Sequence, residues 1–310
     1  MRVEVVLTET DIAQEFAEAM EARDLPEKFF FWFPRSAAKW TELAQRDDLY
    51  GDLNATWKEI AAAAGPLSQY FGQRMPVISF GSGDGSRDRL LLTALKDIGC
   101  ECLYFPVDAS QSMLEAACAG ADDEDIETIG IKADISSPVH LVYAADAAEP
   151  PRLFIMSANT LGAFDPLAEI RYIAQCLKPE DRLIIDGEIF EEGKSLELRN
   201  NAAVHAFIWA LLASAGIGPD DGEIRFELKR DERHEGLHLI TRHFRAERDL
   251  TANIAGQRIS VQRGERIGLN FQYLYTPEAF EWLLKEHGGL EISMRFGNAG
   301  DRFITALCRK

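Results

Sequence analysis

Between residues 77 and 185 short apolar runs and amphipathic stretches alternate almost without a break. Runs at 77–80, 102–107, 129–133, 153–156 and 182–185 read as buried strands. Segments 87–98, 111–119 and 167–177 carry apolar residues at helical spacing, as Leu90, Leu91, Ala94 and Leu95 show. Few folds accept this alternation. Neighbouring parallel strands need a long crossover, and a helix between each pair supplies it. The expectation is an α/β core with a parallel sheet.

Outside this stretch the pattern differs. A short strand at 2–8, a helix at 10–22 and helical segments at 36–46 and 53–71 are expected first. Past residue 195 come a helix at 201–215 and strand-like runs at 223–229, 237–245 and 258–262, which read as antiparallel. A helix at 277–287 and strands at 290–296 and 302–308 close the chain. The parallel core is therefore expected to be interrupted by an inserted antiparallel unit. The expected division sets 55–195 and 277–310, the core, against 1–54 and 196–276.

Composition excludes some roles. The net charge of -18 argues against a nucleic-acid binder, which needs a basic face. No 18-residue apolar stretch occurs, so no membrane association is expected. The opening MRVEVVLTETDIAQEF has no long apolar region of the kind that marks a secretory signal. Five cysteines at irregular spacing read as reduced thiols of a cytoplasmic protein. Cys100 and Cys102 are too close for a usual zinc site. His238 and His243, five apart on a strand, fall on opposite faces, which argues against a metal there.

The richest chemistry lies in ISFGSGDGSRDRLLL, residues 78–92. Gly81, Gly83 and Gly85 sit between the first core strand and its helix. Bare backbone at such a turn lets a ligand approach closely. Dinucleotides, P-loop nucleotides and S-adenosylmethionine (SAM) all use turns of this kind. No Lys-Ser/Thr pair closes the loop, which removes the P-loop. Ser86 occupies the sixth position where the dinucleotide fingerprint has its last glycine, so the SAM-type turn fits better. Asp108 ends the second strand and Asp134 the third. Each is placed either to cap a helix or to accept hydrogen bonds, Asp108 from ribose hydroxyls and Asp134 from an adenine amino group.

FGSGDGSRDRLLL, YFPVDAS and RLFIMSANTLGAF, together with the early LPEKFFFW and the inserted unit, resemble the histidine-specific, SAM-dependent methyltransferases of ergothioneine biosynthesis. The resemblance spans nearly the whole chain, in the same order. It implies a Rossmann-like class I methyltransferase core with an inserted α+β substrate-binding domain. It implies SAM as cofactor, held by Gly81, Ser82, Gly83, Arg87, Asp108, Ala109, Asp134, Ile135 and Ser157. Arg87 stands where the family has a lysine facing the methionine carboxylate. Ser79 departs from a family glutamate and removes one carboxylate that braces the loop.

The acceptor pocket departs further. Ala158 and Ala163 occupy the family's glycine and asparagine positions, with Asn159 displaced beside them. Phe31 replaces a tyrosine, and Tyr50 stands in for a second one. Asn270 and Gln272 replace a glutamate and a serine that face imidazole, and Leu239 falls near a methionine. Phe31, Tyr50, Asn159, Leu239, Asn270 and Gln272 are thus the expected acceptor-binding set, with Tyr273 as a further orienting group. The expected reaction is N-methylation of a small amine or amino-acid-like molecule other than histidine. Methylation of oxygen or sulfur, and a SAM-binding regulatory protein without catalysis, are the alternatives. No catalytic triad or metal is expected, because sulfonium methyl transfer mainly needs alignment and desolvation. The aromatic run 29–33 reads either as core or as a wall facing a methylated ammonium. Asn270 and Gln272 have a plainer reading as the solvent-facing side of a strand.

Overall fold

The computed structural model describes residues 2–72 and 74–310. In chain order its strands are β1 (Arg2–Val5), β2 (Arg74–Phe80), β3 (Glu101–Asp108), β4 (Glu127–Lys132), β5 (Leu153–Met156), β6 (Arg182–Glu188), β7 (Gly222–Arg230), β8 (Leu237–Ala246), β9 (Leu250–Ile254), β10 (Gln257–Val261), β11 (Arg266–Tyr275), β12 (Glu291–Phe296) and β13 (Phe303–Arg309). The central sheet runs β1-β4-β3-β2-β5-β6-β13-β12. Its first six members in that order pair in parallel. β13 and β12 run antiparallel at the far edge. The strand order reverses between β2 and β5. That reversal opens a crevice at the carboxyl ends of the strands, where open α/β sheets take their ligands.

Helices cover both faces because each strand is apolar on both sides. Along β2, Met75 and Val77 join one buried cluster while Ile78 and Phe80 join the other. Along β5, Leu153 and Ile155 divide from Phe154 and Met156 in the same way. Helix Glu9–Ala22 starts at Thr8 in a capping box, its side chain accepting from the Asp11 amide. Helix Ser86–Asp97 starts at Gly85, whose φ of 66° lies in the left-handed region.

Between β6 and the last helix the chain builds a three-stranded antiparallel sheet, β11-β8-β7, and a hairpin of β9 and β10. The hairpin turns at Ala255 and Gly256, both left-handed (φ 49° and 79°), as a tight turn of matching twist requires. β9 was not expected, and β11 only in the plainer reading of Asn270 and Gln272. The helix Pro138–Ala145 was not expected either. The single helix read at 53–71 begins earlier, as Asp47–Ala62, and breaks before Ala64–Ser68. Pro66 has no amide hydrogen with which to continue it. Among the described residues no helix is long and apolar enough to cross a membrane.

A buried ion pair secures the end of the sheet away from the crevice. Arg152 and Asp181 are 2% and 0% exposed, 2.7 Å apart. Asp181 also accepts from the amides of Arg152 and Lys178, each at 2.7 Å. Removing one partner strands the other charge. Asp181→Asn is therefore expected to cost about 3–5 kcal/mol of stability in denaturant unfolding while leaving ligand affinity at the crevice intact. A loss below about 1 kcal/mol, the range of exposed pairs, would contradict this account of the pair.

Candidate functional site

One cavity occupies the crevice. Its floor is the glycine loop. Gly81, Gly83 and Gly85 have φ of 68°, 56° and 66°, a region that disfavours side chains at all three points. A Cβ on Gly81 would approach Thr160 to 3.0 Å, and one on Gly85 would approach Ala117 to 3.0 Å. Gly83 faces open space instead. The loop is thus closed to its neighbours at two glycines and open toward the cavity at the middle one.

Asp108 holds this loop from the end of β3. Its carboxylate accepts from the Gly83 amide at 2.9 Å and the Ser110 amide at 2.8 Å. Burial pushes its carboxyl up to about 6. Under the loop lies Asp88, buried in the first turn of the following helix and accepting from the Tyr104 hydroxyl at 2.6 Å. Burial pushes it up to about 6 as well. Ser79 lies beside it, so a carboxylate is present under the loop although position 79 lacks one. Asp134, at the end of β4, pairs with Lys28 at 2.6 Å and accepts from the Ser136 hydroxyl at 2.7 Å. Burial opposes its ionisation, yet the Lys28 ammonium prevails and holds the carboxyl below the usual range.

The opposite wall comes from three distant segments. Helix Lys28–Trp32 supplies Glu27 at its N-cap and the ring of Phe31. Phe29 turns into the core against Phe16, while Phe30, buried against Phe207, still borders the cavity. Phe31 packs edge-on to Trp40 at 5.3 Å and lines the cavity. Arg199, from helix Ser195–Arg199, and Arg242, from β8, also reach it. Arg242 donates from Nε to the Leu269 carbonyl at 2.6 Å, inside the irregularity that shifts β11 register between Gly268 and Phe271. Asn270 sits in that bulge with φ 58° and is 8% exposed. Bulges of this kind re-aim side chains. Asn270, Phe271 and Gln272 all line the cavity as a result, in place of the alternation an unbroken strand would give.

The family model of histidine-specific, SAM-dependent methyltransferases matches residues 12–310. The chain belongs to this family. It is a SAM-dependent methyltransferase, and its central sheet is the Rossmann-like class I core. No curated protein matches it. Solved structures to which it is similar include a SAM-dependent methyltransferase from Clostridium acetobutylicum ATCC 824, at 16% identity over 88% of this chain and 98% of that one, TM-score 0.47. Another is the DhpI–SAM–HEP complex, at 14% identity over 98% and 100%, TM-score 0.44. A third is SAM-bound CalS10, an amino pentose methyltransferase from Micromonospora echinaspora, at 12% identity over 90% and 98%, TM-score 0.41.

The methyltransferase's own residues fit the cofactor. The space beside Gly83 admits a ligand chain, and the buried Ser82 hydroxyl has no partner among the described residues. Every residue expected to bind SAM, namely Gly81, Ser82, Gly83, Arg87, Asp108, Ala109, Asp134, Ile135 and Ser157, lines the cavity. Arg87 donates to Asn54 at 3.1 Å and lies 5.5 Å from the Tyr50 ring centre, linking the loop to the helix Asp47–Ala62.

Of the expected acceptor set, Phe31, Tyr50, Asn159, Asn270 and Gln272 line the cavity and Leu239 does not. Leu239 pairs with Tyr273 across β8 and β11, on the face opposite Gln272 and Arg242. Tyr273 is turned away too, its hydroxyl bonded to Asp231 at 2.8 Å and to Arg233 at 2.8 Å. Asn159 reaches the cavity, but its amide is already engaged. It donates to the Tyr273 carbonyl at 2.8 Å and accepts from the Glu188 amide at 3.2 Å, so it joins β6 to β11. Glu27, Asp88, Arg199 and Arg242 were not anticipated. Only the Glu-Lys step before the aromatic run hinted at the first.

The ionised Asp108 is the form that accepts hydrogen bonds, and protonation below about pH 6 removes it. Cofactor affinity should therefore weaken as pH falls through that value, and Asp108→Asn should flatten the dependence. Asp108→Ala should weaken S-adenosylhomocysteine binding by about 1–3 kcal/mol. Calorimetry over a pH series checks both. An affinity level through pH 6 and an unaffected alanine variant would reduce Asp108 to a loop cap.

Proposed function

We propose that this methyltransferase transfers the methyl group to nitrogen of an amino acid or amino-acid-derived small molecule other than histidine, as a cytoplasmic biosynthetic enzyme. The observation that carries this reading is Glu27. Its carboxyl borders the cavity, and the attraction of Arg242 reaches it through space, without a hydrogen bond. Confinement, with Asp108 and Asp134 close by, pushes it up to about 8. Once ionised, as pH approaches and passes that value, such a group attracts an ammonium and takes up its proton, the conversion an amine needs before it can attack.

When bound, SAM supplies a methyl group on a sulfonium, a leaving group already activated by its charge. The protein's share is to hold and align. In this reading the Gly81–Gly83 backbone and Arg87 take the methionine end, Asp108 the ribose and Asp134 the adenine side. Phe31 and Trp40 exclude water from the acceptor, which favours attack by a neutral amine. Phe31, Ala158, Ala163, Asn270 and Gln272 give the acceptor wall a different lining from one made for imidazole. The division of 1–54 and 196–276 from 55–195 and 277–310 follows the same logic. Glu27, Phe31, Tyr50, Arg199, Arg242, Asn270 and Gln272 all come from the first part, and the cofactor residues from the second. The five free thiols suit a reducing compartment.

A methyl-transfer screen over amines, alcohols, thiols and histidine tests the reading. N-methylated products are expected, with histidine turned over no better than other amino acids. kcat/KM for SAM, which reports the free protein, should rise with pH through about 8, because Glu27 there is protonated below that value and cannot accept a proton. Glu27→Gln should lose that rise and about a hundredfold in kcat. Transfer only to oxygen or sulfur, or full activity of the glutamine variant, would contradict it.

A further inference from the structure

The acceptor wall carries more positive charge than the protein neutralises. Behind it Glu188, 2% exposed, is shared between two guanidiniums, those of Arg199 and Arg302. Arg199 is 4% exposed, and its Nε has no partner among the described residues. Arg242 stacks 4.6 Å over the Phe30 ring and gives Nε to the Leu269 carbonyl. Its remaining attraction to the protein is through space, to Glu27 and Tyr50. Burial and the nearby Arg199 charge push it down to about 10, the mark of a cation short of counter-charge. Glu27 compensates little, being largely protonated at neutral pH. Asn270 adds a second unmet buried donor, for its Nδ2 has no partner among the described residues either.

Arg199, Arg242 and Asn270 line one cavity; Nε of Arg199 and Nδ2 of Asn270 are buried without partners among the described residues, and the hydrogen bond Arg242 makes to the protein uses Nε alone. Guanidinium and amide N–H groups together are satisfied by an oxyanion, and a carboxylate suits the planar fork of Arg. A buried donor left unmet is costly, so ligands lacking the anion are discriminated against. The rings of Phe31, Trp40, Phe207 and Phe271 on the same wall suit an apolar body between the charged ends. We infer that Arg199, Arg242 and Asn270 form a carboxylate subsite, and that the methyl acceptor carries an acidic group besides its amine. This rests on the amine reading above and deepens it. Arg242, for which sequence analysis had pointed to Leu239 instead, is the specificity-determining side chain.

The test uses matched aromatic pairs that differ only in the carboxylate: L-phenylalanine and phenethylamine, L-tyrosine and tyramine, L-tryptophan and tryptamine. Each is titrated calorimetrically into the full chain saturated with S-adenosylhomocysteine. At least one carboxylate member should bind about tenfold or more tighter than its partner. Arg242→Gln should erase the difference and Arg242→Lys recover part of it, with S-adenosylhomocysteine affinity unchanged in both. The unchanged affinity shows that the variants fold. The inference is overturned if no carboxylate member binds more tightly than its partner, or if the preference survives Arg242→Gln. It is also overturned if the variant loses the cofactor product equally, for the arginine would then serve the cofactor's own carboxylate. An aminoalkylphosphonate that outcompetes every carboxylate would overturn the class assigned. The two readings fail separately. Methyl transfer to oxygen of a carboxylate-bearing acceptor removes the amine reading alone, and N-methylation without carboxylate preference removes this one alone.

Discussion

Asp88, Asp108, Asp134, Asp186 and Glu188 crowd the carboxyl edge of the central sheet, and buried like charges persist there only where donors meet them. Each solution shapes the surrounding chain. Asp108 draws in the Gly83 amide and so sets the glycine loop. Asp186 accepts the Ala158 amide at 3.0 Å and the Asn159 amide at 2.6 Å, which holds two consecutive left-handed residues after β5. Asp134 takes the Lys28 ammonium and ties the N-terminal cover to the core. Glu188 takes Arg199 and Arg302 from segments a hundred residues apart. The loops around the cavity are arranged as answers to these charges.

The same electrostatics divide the cavity. On the side of β2, β3 and β4 carboxylates face backbone amides and a glycine floor, an environment for hydroxyls, amines and a cationic centre. On the side built by helix Lys28–Trp32, helix Ser195–Arg199 and the antiparallel sheet, guanidiniums exceed carboxylates. Glu27 lies where the two regions meet, feeling Asp108 and Asp134 from one and Arg242 from the other. Its position explains both its high value and its suitability for a proton that leaves as a methyl arrives.

The core was legible because local pattern and global role coincide in it. Runs apolar on both faces, such as 77–80 and 153–156, can only be buried strands between crossover helices, and acids directly after them fall at the ligand edge. Asp108, Asp134 and the glycine loop follow from that rule alone. In β11 the alternation of Ile267, Leu269, Phe271 and Tyr273 was legible, but the bulge between Gly268 and Phe271, which brings Asn270, Phe271 and Gln272 to the cavity together, leaves no mark on that pattern. β9 alternates as a half-buried strand should, Leu250, Ala252 and Ile254 against Thr251 and Asn253, but five residues are a short signal. Leu239 failed through strand parity: an odd offset from Arg242 puts a side chain on the other face. Arg199 and Arg242 show no local sign of function, since only tertiary packing brings a five-residue helix and a strand of the inserted sheet to one wall.

Glu27 and the acids around it leave a place for positive charge beside the cofactor site. SAM carries that charge on sulfur and S-adenosylhomocysteine does not. Calorimetry at pH 7 in buffers of different ionisation enthalpy counts the protons released by each. Glu27, held largely protonated in the free protein, should ionise beside the sulfonium, so SAM should release more protons than S-adenosylhomocysteine and Glu27→Gln should abolish the excess. Equal proton release by the two, or an excess that survives in the glutamine variant, would contradict the claim.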